Sequence, residues 1–172
     1  MNSFVLKIIA CITMFIDHVG YVIFNSSSWF NYIGRLSFPI FAFQISEGFV
    51  HTKNVKNYLL RLFIFAVLSQ IPFMCFLSLI TNDFHLNVIF TLILGLLSII
   101  VYNKNKLLGI FVTIILGIFA NITNCDYGFY GVAITFLFYA FRDKKFFMAL
   151  SFIITTLIHY TIEILMYLEE GV

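Results

Sequence analysis

Charged residues are scarce in this sequence. Only 10% of its 172 residues are Asp, Glu, Lys or Arg, compared with about 25% in a typical soluble domain. Hydrophobic residues make up 62% of the chain and the mean hydropathy is +1.02, which excludes an ordinary soluble protein. The net charge of +2 is scattered, without a basic run, so we expect no nucleic-acid partner. The composition instead predicts an integral-membrane protein with the lipid bilayer as its environment.

Cysteine and the common catalytic motifs are scarce as well. Cys11, Cys75 and Cys125 have no C-x-x-C spacing, which argues against a disulfide framework or a cysteine zinc site. The chain also lacks the phosphate-loop, dinucleotide, H-E-x-x-H and G-x-S-x-G patterns. We therefore expect no metal, and any chemistry must come from other side chains.

Long apolar runs with short polar connections predict an all-α, polytopic transmembrane bundle of six to seven spans. Asp17 and His18 interrupt the first run, and no signal-peptidase pattern follows it, so we expect it to remain as the first span. The predicted spans cover about residues 4–24, 33–50, 58–79, 86–102, 107–122, 129–141 and 146–168.

The basic residues predict the orientation, because Lys and Arg in short loops stay cytoplasmic. The connections around Lys53, Lys104 and Lys144 carry them, and the intervening connections carry none. The N-terminus is therefore predicted to be cytoplasmic, in a multi-pass protein of the cell membrane.

The second predicted span contains several polar side chains. Gln44, Glu47 and His51 follow Ser37 at steps of seven, ten and fourteen residues, which places all four on one side of a helix. Ionisable groups are costly in hydrocarbon, so they face a protein interior or a water-filled cavity. Arg35 falls on the opposite side of an ideal helical wheel, and its placement is left open.

Depth along the spans separates the polar residues into two zones. At a rise of ~1.5 Å per residue, Asp17 and His18 lie ~20 Å from the cytoplasmic end of the first span. A tunnel that joined the two zones would cross the membrane. The outer zone is predicted to contain Asp17, His18, Arg35, Asp83, His85, Asp126 and His159, and the inner zone Glu47, His51, Lys53, Lys56 and Arg61.

In the outer zone, His18 is the predicted general base, with Asp17 orienting it and Arg35 stabilising developing negative charge. Because Asp17 and His18 are adjacent, their side chains point about 100° apart and are not expected to form a direct dyad. The alternative is a structural ion pair of Asp17 with Arg35 that locks the first two spans. His159 and Glu163 share a helix face and are interpreted as a second catalytic wall or, preferably, as a polar contact at the membrane edge.

In the inner zone, Lys53, Lys56 and Arg61 are suited to hold the phosphates of a cytoplasmic donor. Membrane topology alone also demands basic residues there. Glu47 and His51 either line the donor's path or snorkel to water at the end of their helix.

Four stretches resemble, in order, the pattern of the TraX family, membrane proteins associated with acetylation of conjugative pilin. They are LKIIACITMFIDHVGYVIF, IGRLSFPIFAFQISEGFVHTKNVKNYLLRLFIFAVLSQIPF, NVIFTLILGLL and DYGFYGVAITFLFYAFR, and together they extend from Leu6 to Arg142. The resemblance implies an integral-membrane acyltransferase that takes acetyl from a cytoplasmic acyl-CoA. The family's recurrent polar positions fall on Asp17, His18, Arg35, Glu47, His51, Arg61, Gln70, Pro72, Asn87, Asp126 and Tyr127.

The chain departs from the family pattern near its end. Members usually continue into a further span with a tyrosine-proline-x-histidine segment, whereas the nearest approach here is His159-Tyr160. We therefore expect one acyltransferase-like domain, residues 1–172, without that last span.

The resulting hypothesis is transfer of an acyl group, which the resemblance implies is acetyl, from acyl-CoA to an amine or hydroxyl acceptor. The acceptor is a peptide, a glycan or a small molecule. Arg61, with Lys53 and Lys56, is expected to bind the CoA phosphates, and the pantetheine arm is expected to pass Glu47 and Gln44. Two other classes remain open: a transport protein whose intramembrane Asp, His and Glu side chains relay protons or ions, and a structural membrane subunit.

Overall fold

The computed structural model describes residues 3–24, 29–79 and 83–170. Within these ranges the chain forms helices and a single isolated β-bridge, Leu86 with Cys125. This confirms the predicted all-helical class. The helices are α1 (Ser3–Phe24), α2 (Trp29–Gly34), α3 (Ser37–His51), α4 (Val55–Leu77), α5 (Val88–Lys104), α6 (Lys106–Ile122), α7 (Gly128–Ala140) and α8 (Lys145–Glu170).

The second predicted span differs from the prediction at its start. Instead of one helix from residue 33, a short α2 ends at Gly34 and α3 begins at Ser37, so Arg35 lies in the turn between them. Pro39 is the third residue of α3, where its missing N–H would be unpaired in any case. Part of the loop predicted before Trp29, residues 25–28, lies outside the described residues.

Asparagine side chains begin three of the helices. The Oδ1 atoms of Asn54, Asn87 and Asn105 accept hydrogen bonds from backbone N–H groups in the first turns of α4, α5 and α6, at 3.0, 3.0 and 3.1 Å. Such caps satisfy donors that have no partner within the helix. They explain why these apolar runs begin where they do.

The core lies between α3, α5 and α7. Phe38, Leu96 and Ile134, one from each helix, are almost completely buried. Helix α6 packs against α5 and α7, and a Cβ at Gly109 would overlap the backbone of Tyr102 in α5. A glycine is therefore required for the close turn between these two helices.

Three described helices are long and apolar enough to cross a membrane, within Ser3–Gly20, Val55–Leu77 and Lys145–Met166. They belong to α1, α4 and α8, which pack outside the core. The apolar helices α5, α6 and α7 are shorter, with 17, 17 and 13 residues, or about 20 to 26 Å. A helical bundle is confirmed, with three helices that could span a membrane. The number of six to seven spans and the cytoplasmic N-terminus remain predictions.

When the short α2 is taken together with α3, the successive helices are joined by short connections and alternate in direction, so the bundle has two chemically distinct ends. The basic end contains nine of the ten Lys and Arg residues. The tenth, Arg35, lies at the other end, which we call the polar end. The basic end contains Lys7, Lys53, Lys56, Arg61, Lys104, Lys106, Arg142, Lys144 and Lys145, and the polar end contains Asp17, His18, Arg35, His85, Asp126, Tyr127, His159, Tyr160 and Glu163.

Candidate functional site

The last two turns of α1 bring Asp17 and His18 to the polar end. His18 Nδ1 lies 3.8 Å from Asp17 Oδ2, which is within ion-pair distance but too long for a hydrogen bond. That nitrogen is buried and makes no hydrogen bond to any residue that the structure describes, in agreement with the prediction that adjacent residues form no direct dyad. The His18 ring stacks on Phe76 of α4, with 4.3 Å between the centroids, and this contact fixes its plane.

Gly34 allows α1 to approach the turn before α3. A Cβ at this position would overlap the side chain of Asp17, so only glycine lets Asp17 lie here without a shift of the helices. The Gly34-Arg35 dipeptide therefore places Arg35 and Asp17 at the same end of the bundle.

The loop before α7 is held against the segment before α5. Leu86 N donates to Asn124 O at 3.0 Å, Asp126 N donates to Leu86 O at 2.9 Å, and the Thr91 hydroxyl donates to the Asp126 carbonyl. These bonds fix the backbone of Asp126. Tyr127 follows with φ of 63°, an uncommon conformation for a residue with a side chain.

Asp126 is surrounded by other titratable groups of the polar end. Burial raises the pKa of its carboxyl to about 6, and a hydrogen bond from the Tyr127 backbone N–H and the nearby His85 oppose this rise. Asp17 raises the pKa further and His18 lowers it, so the loop carboxylate and the α1 pair lie close enough to interact. Burial favours the neutral acid because a charged carboxylate loses its hydration.

Arg35 connects the turn before α3 to α8. Its guanidinium donates a hydrogen bond to Tyr160 Oη at 2.9 Å and lies 4.0 Å from Glu163 Oε2. The guanidinium also lies over the Tyr160 ring, 5.2 Å from its centroid. The sequence suggested Asp17 as the ion-pair partner of Arg35; the contacts of its guanidinium with Tyr160 and Glu163 were not predicted.

His159 is the histidine that lies nearest to a carboxylate. Its Nε2 is 3.3 Å from Glu163 Oε1, and its ring stacks on Tyr130 of α7 with centroids 4.4 Å apart and planes 10° from parallel. Tyr130 is itself fixed by a 3.0 Å hydrogen bond between its hydroxyl and Thr156. Packing and charge therefore hold His159 in one orientation.

Tyr127 interacts with residues near His18 and with residues near His159. It stacks on the buried Phe38, with 4.0 Å between centroids, and interacts electrostatically with Asp17, Arg35 and Tyr160. Burial raises the pKa of its phenol, so the hydroxyl stays protonated and can act as a donor. Sequence reasoning named Tyr127 only through the family resemblance, and named Tyr160 only as part of the His159-Tyr160 pair without assigning it a contact. The signal for Tyr160 was its position beside His159 and one turn before Glu163.

The predicted donor residues gather at the basic end. His51 Nδ1 lies 3.9 Å from Glu47 Oε2 and 2.9 Å from the Glu47 carbonyl, and the His51 side chain is 76% exposed, which fits the end of a helix in water. Lys53, Lys56 and Arg61 are exposed as well. They form a basic surface at the start of α4, accessible to an anionic ligand.

Between the two ends, α3 carries polar atoms that have no protein partner. Gln44 Nε2 and Ser46 Oγ are buried and make no hydrogen bond within the described residues. Each such atom costs about 1 to 3 kcal/mol, so a ligand or water is expected to pair with it. These two residues lie midway between the basic surface and Arg35.

Among the residues that the structure describes, no group of three or more His, Cys, Asp or Glu side chains is arranged to hold a metal ion. The polar end therefore offers acid–base pairs, a guanidinium and a phenol. Such groups are suited to proton transfer and to stabilising an oxyanion.

Comparison with known proteins gives a family and one distant relative. The family described as TraX protein matches residues 3–170. The chain is 33% identical over 147 residues to "Probable fimbrial assembly protein FimC, serogroup H1" of Dichelobacter nodosus, which covers 78% of this chain and 60% of that protein. The chain thus spans about 60% of the length of this relative. No solved structure matches the chain significantly.

Proposed function

The chain belongs to the TraX family, and from this membership and the two ends of the bundle we propose that it is an integral-membrane acyltransferase. It takes an acyl group, acetyl in our proposal, from cytoplasmic acyl-CoA and transfers it to an amine or hydroxyl acceptor. The acceptor belongs to a peptide, a glycan or a small molecule, and the relative's name favours a protein of a surface fibre. One observation carries the proposal: nine basic residues lie at one end and the tenth, Arg35, lies with the histidines at the other.

The donor binds at the basic end. Arg61, Lys53 and Lys56 pair with the CoA phosphates, because charge-assisted hydrogen bonds to phosphate are the strongest that such exposed side chains form. The pantetheine arm then follows α3 past Glu47 and His51. Its amide groups supply the partner that Gln44 Nε2 lacks, which brings the thioester towards the polar end.

The reaction takes place at the polar end. His18 removes a proton from the acceptor as its nitrogen or oxygen attacks the thioester carbon, and Asp17, 3.8 Å away, stabilises the imidazolium that forms. Arg35 stabilises the negative charge that develops on the carbonyl oxygen. The carbon–sulfur bond then breaks and CoA leaves as the thiolate, which takes up a proton. The groups invoked require no metal.

The same charge distribution supports a topology with a cytoplasmic N-terminus and six to seven spans in the cell membrane. Single cysteines placed at Lys53, Lys104 and Lys144, in a chain without native cysteines, are expected to be protected from an impermeant reagent in intact cells. Cysteines at Ser27, Asp83 and Asp126 are expected to react. Labelling of the cysteine at Lys104 in intact cells would indicate the opposite orientation in the membrane.

The proposed activity is tested with purified protein in detergent, labelled acetyl-CoA and a short apolar peptide with a free N-terminal amine. We expect label in the peptide and an equal amount of free CoA thiol. A protein that only relays protons, or only supports other subunits, produces neither.

The donor site is tested by affinity for acetyl-CoA, measured by calorimetry. Arg61→Ala and Lys53→Ala are expected to weaken binding about 10- to 100-fold each, since a charge-assisted contact contributes about 1.5 to 3 kcal/mol. Lys106→Ala, at the start of α6 on the same end of the bundle, is the matched control and keeps the wild-type affinity. If Arg61→Ala and Lys53→Ala remain folded and bind as the wild type does, the donor site lies elsewhere.

A further inference from the structure

The proposed mechanism uses one histidine at the polar end, yet the geometry orients another better. His159 Nε2 approaches Glu163 Oε1 to 3.3 Å, while His18 Nδ1 is buried and has no hydrogen-bond partner in the described part of the chain. The side chain of His159 is 28% exposed, so a ligand can reach the ring. An oriented, reachable histidine beside a carboxylate is the arrangement that proton transfer requires.

The surroundings of His159 come from three parts of the chain. Tyr130 of α7 stacks on its ring, Glu163 and Tyr160 lie on its own helix, and Arg35 interacts with it electrostatically from the turn before α3. Arg35 also donates to Tyr160 and lies 4.0 Å from Glu163. The Arg35 guanidinium, which the proposed mechanism uses to stabilise the developing oxyanion, therefore also interacts with Tyr160 and Glu163 beside His159.

The charge of the polar end favours a positively charged acceptor. Several carboxylates lie there, among them those of Asp17, Asp126 and Glu163, with the Arg35 guanidinium. The Tyr130 and Tyr160 rings add aromatic faces, which attract cations. An amine that arrives as an ammonium ion fits this surface better than a neutral hydroxyl does.

An ammonium acceptor needs two proton acceptors. It must lose one proton before its nitrogen can attack, and the nitrogen loses a second when the carbon–nitrogen bond forms and the carbon–sulfur bond breaks. The departing thiolate takes up one proton, and one is released to water, so the sum is ammonium plus thioester giving amide, thiol and a proton. A hydroxyl acceptor loses only one.

On the basis of the proposed function, we propose that His159, positioned by Glu163, is a second proton acceptor, which converts the bound ammonium into the attacking amine before His18 acts. His159 is then a catalytic residue. Glu163, whose Oε1 lies 3.3 Å from Nε2, is a positioning residue that holds this side of the ring, so Nδ1 is the nitrogen that accepts the proton. The two histidines act in sequence on the same nitrogen.

The test compares acetyl transfer to an apolar peptide with a free N-terminal amine at pH 6.8 and pH 9.0. With an α-amino pKa of about 7.8, only about one peptide in ten carries a neutral amine at pH 6.8, and nearly all do at pH 9.0. His159→Gln is therefore expected to lower the rate about tenfold, relative to wild type, at pH 6.8 and less than about twofold at pH 9.0. Glu163→Gln is expected to show the same dependence on pH with a smaller loss at pH 6.8.

The controls separate this role from a structural one. Thr161→Val alters the same helix at a hydroxyl that bonds only the Leu157 carbonyl in the described structure, and it is expected to match wild type at both pH values. A wild-type rate for His159→Gln at pH 6.8, or an equal loss at both pH values, overturns the inference while leaving the proposed function intact. Absence of transfer by the wild type overturns the proposed function, and this inference with it.

Discussion

His18 carries the largest predicted effect of any single residue. It is the histidine of α1, and its imidazole lies beside Asp17 and against Phe76. His18→Gln retains size and hydrogen-bonding capacity but cannot take up a proton near neutral pH. We expect turnover to fall by about 10² to 10⁴, the usual loss when acid–base catalysis is removed.

Binding separates a chemical role of His18 from a structural one. Acetyl-CoA affinity is expected to stay at the wild-type value in His18→Gln, and Thr13→Val, one turn earlier on α1, is expected to keep full turnover. Full turnover by His18→Gln would favour a structural role for Asp17 and Arg35 and would assign the proton transfer to another histidine.

Asp126 predicts a dependence of stability on pH. Its pKa in the folded protein is about 6, above the ordinary value of 3.8, so the neutral acid is the form that folding favours. The contribution of Asp126 is therefore fully present below pH 3.8 and is lost as the pH rises through 6. Asp126→Asn, which is neutral at every pH, is expected to have a free energy of unfolding higher than that of wild type at pH 7.5, by on the order of 1 to 3 kcal/mol, and a similar one at pH 4. Thermal unfolding at the two pH values measures the difference. A variant that is less stable than wild type at pH 7.5 shows that the charged carboxylate is the stabilising form.

The sequence predicted which end of the bundle some side chains occupy, but not all of the contacts that they make there. Placing Asp17, His18 and Arg35 at one end of the bundle required only helix length and loop order, so the sequence was sufficient. The contact of Arg35 with Tyr160 and Glu163 joins residues more than 120 positions apart. No local spacing predicts such a contact, because it depends on which helices pack together.

At the scale of elements, Asn87 fastens the start of α5 to α4. Its Nδ2 donates to Ala66 O at 2.8 Å and to Ser69 Oγ at 3.3 Å, while its Oδ1 caps Ile89 N. The amide is buried, so removing it deletes both donated bonds and leaves Ile89 N without its cap. Asn87→Ala is expected to lower the free energy of unfolding by about 2 to 4 kcal/mol, about 1 for the cap and about 1 for each buried bond.

The matched control for this prediction is Asn105→Ala. Asn105 caps α6 through one bond, to Leu108 N, and is exposed, so its loss is expected to cost about 1 kcal/mol. Denaturant unfolding in the same detergent measures both variants. Equal losses contradict the idea that Asn87 joins two helices in addition to capping one.

Most helix boundaries followed from the sequence, because polar asparagines and basic turns separate long apolar runs. The break between α2 and α3 did not, since Gly34 and Arg35 lie within an otherwise apolar run. The break follows from the approach of Asp17 to Gly34, a tertiary contact. It is also what moves Arg35 off the helix and allows it to reach α8.

At the scale of the whole molecule, the proposed function rests on the unequal distribution of basic residues between the two ends of the bundle. Hydropathy and loop charge predicted it, since both depend on composition and order alone. The number of crossings depends on how the short helices α5, α6 and α7 sit relative to the lipid, and their 17, 17 and 13 residues are fewer than the ~20 that a full crossing requires. Packing within the bundle, rather than apolar length, determines their place.

In the proposed function, the donor binds at the basic end of the bundle and the acceptor reacts at the polar end. This arrangement is tested most directly in sealed proteoliposomes with labelled acetyl-CoA only outside and the peptide amine only inside. The account predicts labelled peptide inside vesicles that contain wild-type protein, and its loss in vesicles that contain Arg61→Ala or His18→Gln. Label that appears only when donor and acceptor share one side of the membrane contradicts the account.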